Sequence, residues 1–398
     1  MRLAIIGAVL LVAGVGAVAT GTLPQAELAA LIGRVAPILM FAAAMTVVTE
    51  LASVAGVFLW AARRFRHWGR GRSVVLWMFL AVFAALCTIF LSLDTTAVLL
   101  TPIVVIVTRQ AGLPVLPFAL TTVWLANTAS LLLPISNLTN LLAQHSLGGI
   151  SPAAFAALMW GASLAAILVP LGFVAVVFRR DLRKRYPRIP VAPIRTNPTT
   201  GTSPTPNSDR VLLAGSSIVL VLLLPALVSG IPVWIPALAA ALLLALLFAL
   251  RLPRALKPWL VPWPLLLFAS GLFLVMETAR HLGAPAGLDQ LAGQGQTPAD
   301  LLRLAAVGAV GSNLTNNLPA YLLAEPLAET PRRLAALLIG VNAGPLITPW
   351  ASLATLLWHD RLTRMNVLIT WRGYALFGLV VAPLTVIASV AALVATGP

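Results

Sequence analysis

A single cysteine, Cys87, leaves this chain no internal disulfide, and one thiol cannot assemble a zinc site. The four histidines, His67, His145, His281 and His359, lack the H-E-x-x-H spacing of a metalloprotease. Charge is scarce as well: 9% of the 398 residues are charged, 11 of them acidic against 26 basic. A soluble domain of this length needs a charged surface, so the scarcity places the chain in lipid. An intramembrane enzyme would need a paired nucleophile and base, or two facing aspartates, and one deep aspartate supplies neither. No enzymatic activity and no cofactor are expected.

What is present is apolar: 60% of the residues are hydrophobic. Leu3 to Thr20 and Val211 to Ser229 run without a charge for about 20 residues, the length that spans a bilayer. The first stretch has no A-x-A-like cleavage site and opens a series of similar segments, so it is expected to stay as a helix. The net charge of +15 sits in the short connections between apolar segments, where it sets topology. It does not point to nucleic acid.

Four basic connections organise the chain. Arg63 to Arg72 carries five positive charges and no acid, and Arg179 to Arg210 carries eight against Asp181 and Asp209. Arg251, Arg254 and Lys257 form the third, and Arg361, Arg364 and Arg372 the fourth. Placing all four in the cytoplasm follows the positive-inside rule. Too many apolar residues lie between the first two for plain spans. Four crossings would account for them, as would a re-entrant hairpin followed by two crossings. A hairpin over 73–112 fits better, because its midpoint Ser92-Leu93-Asp94-Thr95-Thr96 is polar and such backbone is tolerated at mid-depth only under cover. Arg109 then lies at the cytoplasmic foot.

The expected fold is an all-α polytopic membrane protein of the inverted-repeat secondary-transporter type, with two re-entrant hairpins and two broken helices. The N-terminal repeat covers 1–180, with the hairpin at 73–112 and a broken helix at 116–143. A Pro- and Thr-rich cytoplasmic linker, 181–209, leads to the C-terminal part, 210–398, with a hairpin at 300–328 and a broken helix at 333–358. Nine crossings put the N-terminus inside and the C-terminus outside. Trp60, Trp68, Trp234, Trp259 and Trp358 lie near span ends, as interfacial anchors do.

The repeat is visible in the residues. Positions 126–142 align without gaps onto 341–357, so that Asn127 matches Asn342 and Pro134 matches Pro349 at an offset of 215. Glu50 and Gly56 match Glu277 and Gly283 at 227, and the tips Asp94 and Asn317 are 223 apart. Each half runs from a membrane-embedded Glu to a polar tip and then to a proline-broken helix. In inverted repeats the substrate sits near mid-membrane, held by half-helix ends and unwound backbone.

Asp94 is the one acid at a hairpin tip, and an intramembrane carboxylate is a functional candidate by default. It is expected to carry a proton, or else to cap the second arm with Thr95 and Thr96. Glu50 and Glu277 either join the coupling or pair with Arg34 and Arg280. The expected solute lining is Thr95, Thr96, Asn127, Thr128, Ser136, Asn137, Asn313, Asn316, Asn317, Asn342, Thr348 and Ser352. Ser130, Ser312 and Asn140 stand beside them. Cys87 reads as packing, and Trp350 could shape a cavity.

The stretches Asp94-Thr-Thr-Ala-Val-Leu-Leu-Thr-Pro-Ile-Val-Val105 and Asn127-Thr-Ala-Ser-Leu-Leu-Leu-Pro-Ile-Ser-Asn-Leu-Thr-Asn140 resemble the arsenical pump membrane permeases of the ion transporter superfamily. So do Ser312-Asn-Leu-Thr-Asn-Asn-Leu-Pro319 and Gly344-Pro-Leu-Ile-Thr-Pro-Trp-Ala-Ser-Leu-Ala-Thr-Leu-Leu-Trp358. The resemblance spans nearly the whole chain. It implies an elevator-like motion, a homodimer, and efflux of arsenite or antimonite as neutral hydroxides coupled to proton influx, sometimes with a cytosolic ATPase partner. A cation/proton antiporter, a carboxylate carrier and the membrane subunit of an ATP-driven arsenical pump are the alternatives. The chain departs from the family at Leu93, Asn127, Asn342 and Leu346, which leaves Asp94 as the proton carrier.

Overall fold

The computed structural model describes residues 2–187, 209–284 and 287–396. Most of the expected linker, 188–208, with Arg188 and Arg195, lies outside the described residues. Within them the chain is helical, and the single β-contact is an isolated bridge between Arg72 and Arg185.

The first half opens with α1 (Arg2–Ala19) and α2 (Gln25–Val54), the latter entered through Pro24. Gly56 then breaks the chain with φ +87°, a conformation that suits glycine, before the basic α3 (Val57–Trp68). The first hairpin comprises α4 (Ser73–Leu91), the short α5 (Leu93–Thr95), a π-turn over Thr96–Leu100 and α6 (Thr101–Gln110). The broken helix follows as α7 (Leu116–Thr128) and α8 (Leu138–Ser146). Ser151 caps α9 (Pro152–Val177) with Pro152 at its first position, and a turn of helix, α10 (Arg179–Leu182), closes the half.

The second half runs through α11 (Arg210–Val228), α12 (Trp234–Arg251) and α13 (Trp263–His281). A short α14 (Leu288–Ala292) lies in the connection between α13 and the second hairpin. The second hairpin is α15 (Pro298–Leu314) with α16 (Asn317–Ala324), and the second broken helix is α17 (Pro331–Ala343) with α18 (Leu353–Arg364). Thr297 and Thr330 cap α15 and α17, each followed by proline. The last span is α19 (Trp371–Thr396).

Six uninterrupted helices outside the hairpins (α2, α9, α11, α12, α13 and α19) are long and apolar enough to cross a membrane, with α1 somewhat shorter. With the two broken helices they make the nine crossings expected. Helix α1 packs along α13, α2 along α12, and α9 along α19, while α7 and α17 each nest against both arms of their own hairpin. The arms of the first hairpin are inner elements: 56% of the apolar stretch of each is buried, against 28% for α11, α12 and α13.

The basic connections gather at one end of the molecule. Ser73 N–H donates to the Lys184 carbonyl, Tyr186 N–H to that of Gly71, and the Tyr186 hydroxyl to that of Arg66. Arg251 pairs with Asp209 at 3.5 Å, and Arg109 at the hairpin foot donates to the Asn366 carbonyl in the fourth connection. Trp60, Trp68 and Trp259 are exposed as anchors should be. Trp358 is not: it is fully buried, and its indole N–H donates to the Ala119 carbonyl at 3.0 Å, joining the two halves.

Candidate functional site

At Ser92 the first hairpin reverses with φ +105°, a strained value for a residue with a Cβ. Strain of this kind persists only where surrounding bonds fix it. The Ser92 hydroxyl oxygen accepts from Thr95 N–H and donates to Thr95 Oγ1 at 3.1 Å. Thr96 Oγ1 donates back to the Ser92 carbonyl and accepts from Thr88 Oγ1 at 3.0 Å, so the arms are tied across the turn. The π-turn that follows widens the second arm, a feature frequent at functional positions. Asp94 hangs from this tip with Oδ1 buried and without a hydrogen-bond partner.

The two helix breaks repeat each other in detail. Leu133 and Thr348 are extended (φ −122°, ψ 151° and φ −98°, ψ 152°), and each is followed by a 3-10 turn beginning at proline. Asn137 and Ser352 then cap α8 and α18 with nearly equal angles, φ −152°, ψ 148° and φ −145°, ψ 140°. Each side chain accepts from the N–H two residues on. The offset of 215 therefore holds at the backbone. Gly56 and Gly283 share positive φ (+87° and +82°), which supports the offset of 227. The tips shift by one residue: their capping residues are Ser92 and Asn316, 224 apart, so Asp94 matches Leu318 rather than Asn317.

The breaks also cross-link the halves. Asn342 Oδ1 accepts from Asn137 Nδ2 at 2.5 Å and Thr139 Oγ1 at 3.2 Å, while its Nδ2 donates to Asn140 Oδ1 at 2.7 Å. Asn127 returns the contact to Thr355, the counterpart of Asn140, at 3.5 Å. Contacts returned in this way are what a two-fold relation produces. The return is weaker, because the residues matching Asn137, Thr139 and Asn140 are the smaller Ser352, Ala354 and Thr355. Thr128 is fully buried on the same helix, and Ser136 Oγ donates to the Ile89 carbonyl at 2.7 Å, pinning the first break to α4.

The second tip is bolted to its own break. Asn313 Oδ1 accepts from the Ile347 and Thr348 N–H groups, and its Nδ2 donates to the Ala309 and Gly344 carbonyls. Thr348 Oγ1 and Trp350 Nε1 both donate to the Asn313 carbonyl at 2.8 Å, and Asn316 Nδ2 donates to the Trp350 carbonyl at 2.9 Å. Asn317, buried beside them, has no side-chain hydrogen bond among the described residues.

One cavity of about 260 Å³ lies between α2, the first tip, the first break, the start of α13 and α18. Asp94, Thr95 and Asn137 line it, and the other expected lining residues do not. Its remaining polar wall comes from Ser92 at the tip and from Thr46, Thr49 and Glu50 on α2. No cationic side chain lines it. Most donors around it are already engaged: Thr46 with the Ala42 carbonyl, Thr49 with that of Met45, Ser92 with Thr95, and one Asn137 Nδ2 hydrogen with Asn342. What faces the cavity is mainly acceptor oxygen and hydrocarbon, with the Thr95 hydroxyl hydrogen left to donate. Cys87 is buried in α4 away from it, and Trp350 is half-exposed on the second break.

The sequence reading missed one network. Arg34 pairs with Glu325 rather than Glu50, and Glu325 Oε1 also accepts from Ser146 Oγ at 2.5 Å and the Tyr321 hydroxyl at 3.0 Å. Arg280 bridges Glu277 at 3.3 Å and Glu325 at 3.9 Å. The network fastens the base of the second hairpin to α2, α8 and α13. Its signal was there to read: an acid within an apolar arm needs a buried partner.

The family model described as a citrate transporter, CitMHS, matches residues 2–355. The chain belongs to this family. It is thus a multi-pass membrane transporter. Its relatives include an arsenical pump membrane protein of Yersinia enterocolitica, 29% identical over 377 residues, covering 88% of this chain and 84% of the relative. The Escherichia coli protein of the same description is likewise 29% identical with the same coverage. A putative arsenical pump membrane protein of Bacillus subtilis is 24% identical, covering 83% and 81%. The fold is similar to the crystal structure of the Alcanivorax borkumensis YdaH transporter, with a TM-score of 0.59 at 15% identity, covering 92% of this chain and 89% of the other.

Proposed function

We propose that the chain exports arsenite and antimonite as neutral trihydroxides in exchange for protons, with Asp94 as the proton carrier. The chemistry of the cavity carries this reading: two carboxylates, hydroxyl oxygens and apolar walls, without a cationic side chain. A neutral trihydroxide offers three O–H donors and no charge, which suits a wall of acceptors. The volume suits a small solute, since drug-sized ligands take pockets of about 300 Å³ or more.

Citrate, which the family description names, presents the opposite chemistry. Its carboxylates would meet Asp94 and Glu50 with no Arg, Lys or His to offset them. Two unit charges of like sign about 4 Å apart repel by about 4 kcal/mol at an effective dielectric of 20. Thr95 and Asn137 are proposed as direct solute contacts. Thr96, Asn127, Thr128, Ser136, Asn313, Asn316, Asn317, Asn342, Thr348 and Ser352 are proposed to hold the breaks and the second tip in shape. The same proposal puts the basic end in the cytoplasm and moves the solute by an elevator-like displacement of the hairpins and broken helices.

The test is flux into inside-out proteoliposomes holding arsenite, antimonite or citrate outside, with and without an acidic lumen. Arsenite and antimonite should accumulate with the gradient, and D94N should abolish the gradient dependence. Movement of citrate without arsenite would overturn the assignment.

A further inference from the structure

Glu50 is left without a partner by the pairing of Arg34 with Glu325. It makes no ion pair within 4 Å among the described residues, although it is half-buried in the last turns of the apolar α2. It faces the same cavity as Asp94, from the opposite element: α2 carries Glu50, and the first hairpin tip carries Asp94. The neighbouring oxygens, Thr46 and Thr49 on α2 and Ser92 and Thr95 at the tip, complete a surround rich in acceptors, in which the Thr95 hydroxyl hydrogen is left unengaged by the Ser92 contact. The buried Asp94 Oδ1 has no donor from the protein. An unpaired carboxylate in a low-dielectric site needs a counter-charge.

We infer that Glu50 and Asp94 together bind the coupling cation, one monovalent ion held between α2 and the first hairpin tip. The inference rests on the proposed transport reading and extends it to a second acid. A proton and a sodium ion share the chemistry such a site recognises. Of the charged groups on the elements around the two acids, Arg361 on α18 is the one whose field reaches Glu50, and it forms no ion pair with it. His359 on α18 is turned to the Ile369 carbonyl, and His145 on α8 lines no part of the cavity. On α13, Glu277 and Arg280 pair with each other, and Arg251 on α12 pairs with Asp209. A bound cation would tie α2 to the hairpin tip, and its release would free the tip to move.

The test uses the full chain in proteoliposomes with arsenite as the probe. One arm applies a pH gradient without sodium, and the other a sodium gradient at equal pH. Whichever gradient drives accumulation in the wild type identifies the cation. E50Q should cut that gradient-driven accumulation at least about fivefold, the lower end of ordinary site coupling. E50D, which keeps the charge, should restore part of it, whereas a purely structural role would leave E50D no better than E50Q. Because one ion is shared, the E50Q/D94N double variant should lose no more than either single one. Losses that multiply in the double variant would mean separate sites and overturn the inference. So would wild-type gradient dependence in E50Q with the dependence lost in D94N, a result that leaves the Asp94 reading standing. A wild type that no gradient drives would overturn both.

Discussion

Asn342 and Asn127 occupy equivalent positions in the two halves, yet replacing each by the near-isosteric leucine should have very different effects. Asn342→Leu removes three contacts at once, at 2.5, 3.2 and 2.7 Å. It strands the Asn137 amide, the Thr139 hydroxyl and the Asn140 carbonyl oxygen, all buried. A buried polar group left unpaired costs about 1–3 kcal/mol, so the lower bound is about 3 kcal/mol. Asn127→Leu breaks two contacts, one to Thr355 at the 3.5 Å limit and one at 2.9 Å to the Val123 carbonyl one turn back on its own helix, and it deletes an Oδ1 that already has no partner among the described residues. The cost there is about 1 kcal/mol or less. Thermal unfolding of the purified protein in detergent, followed by tryptophan fluorescence and a thiol-reactive probe of buried Cys87, reads the difference. Asn342→Leu should lower Tm by several degrees and Asn127→Leu by much less. Equal shifts would refute the claim that the cross-links between halves are unequal.

Three further outcomes follow from packing and charge. E325Q leaves Arg34 facing a neutral amide in a largely buried network, and breaking such a pair costs about 3–5 kcal/mol; a large fall in Tm is expected, and an unchanged Tm would deny the network a structural role. A Cβ at Gly340 would overlap the Ala305 backbone carbonyl, so G340A should destabilise by about 1–3 kcal/mol, whereas Gly33 faces open space and G33A should be neutral or slightly stabilising. W358F should cost about 1 kcal/mol through the lost Ala119 bond, and W259F, on an exposed side chain, close to nothing by the same unfolding assay.

The fold was legible because lipid punishes exceptions. Basic residues cluster in four connections and are absent from others, such as 20–24 and 229–233, and every polar stretch at mid-depth had to be a tip or a break, so the arginines and the 92–96 and 312–319 stretches located the elements almost unaided. Tertiary partners were less legible. Arg34 and Glu50 are four and a half turns apart on one helix, and nothing local says that Arg34 turns instead to Glu325 in the other half. Trp358 sits near the end of its expected span like the anchors, and only the packing of α18 against α7 and against Tyr374 of α19 buries it.

The polar residues of the two breaks stand out in the sequence as a set but could not be divided by sequence. Amides and hydroxyls that bind a solute look the same as those that hold an unwound backbone together, since both satisfy groups that a broken helix orphans. The geometry divides them by what their donors already do. Asn313, Asn316 and Thr348 are engaged in clamping the second tip to its break, and Asn342 in joining the halves, so their hydrogen-bonding capacity is largely taken up. The first hairpin is held to its break by a single side-chain bond, from Ser136 Oγ to the Ile89 carbonyl, and none involves the tip residues 92–95. Ser92 is strained, Asp94 Oδ1 is unpaired, and both face the cavity. Two nearly symmetric halves thus end in tips of opposite character, one bonded through its cap to its own break and one whose cap bonds only within the turn. The asymmetry traces to the capping side chains: Asn316 reaches the Trp350 carbonyl, whereas the shorter Ser92 reaches only Thr95 of its own turn.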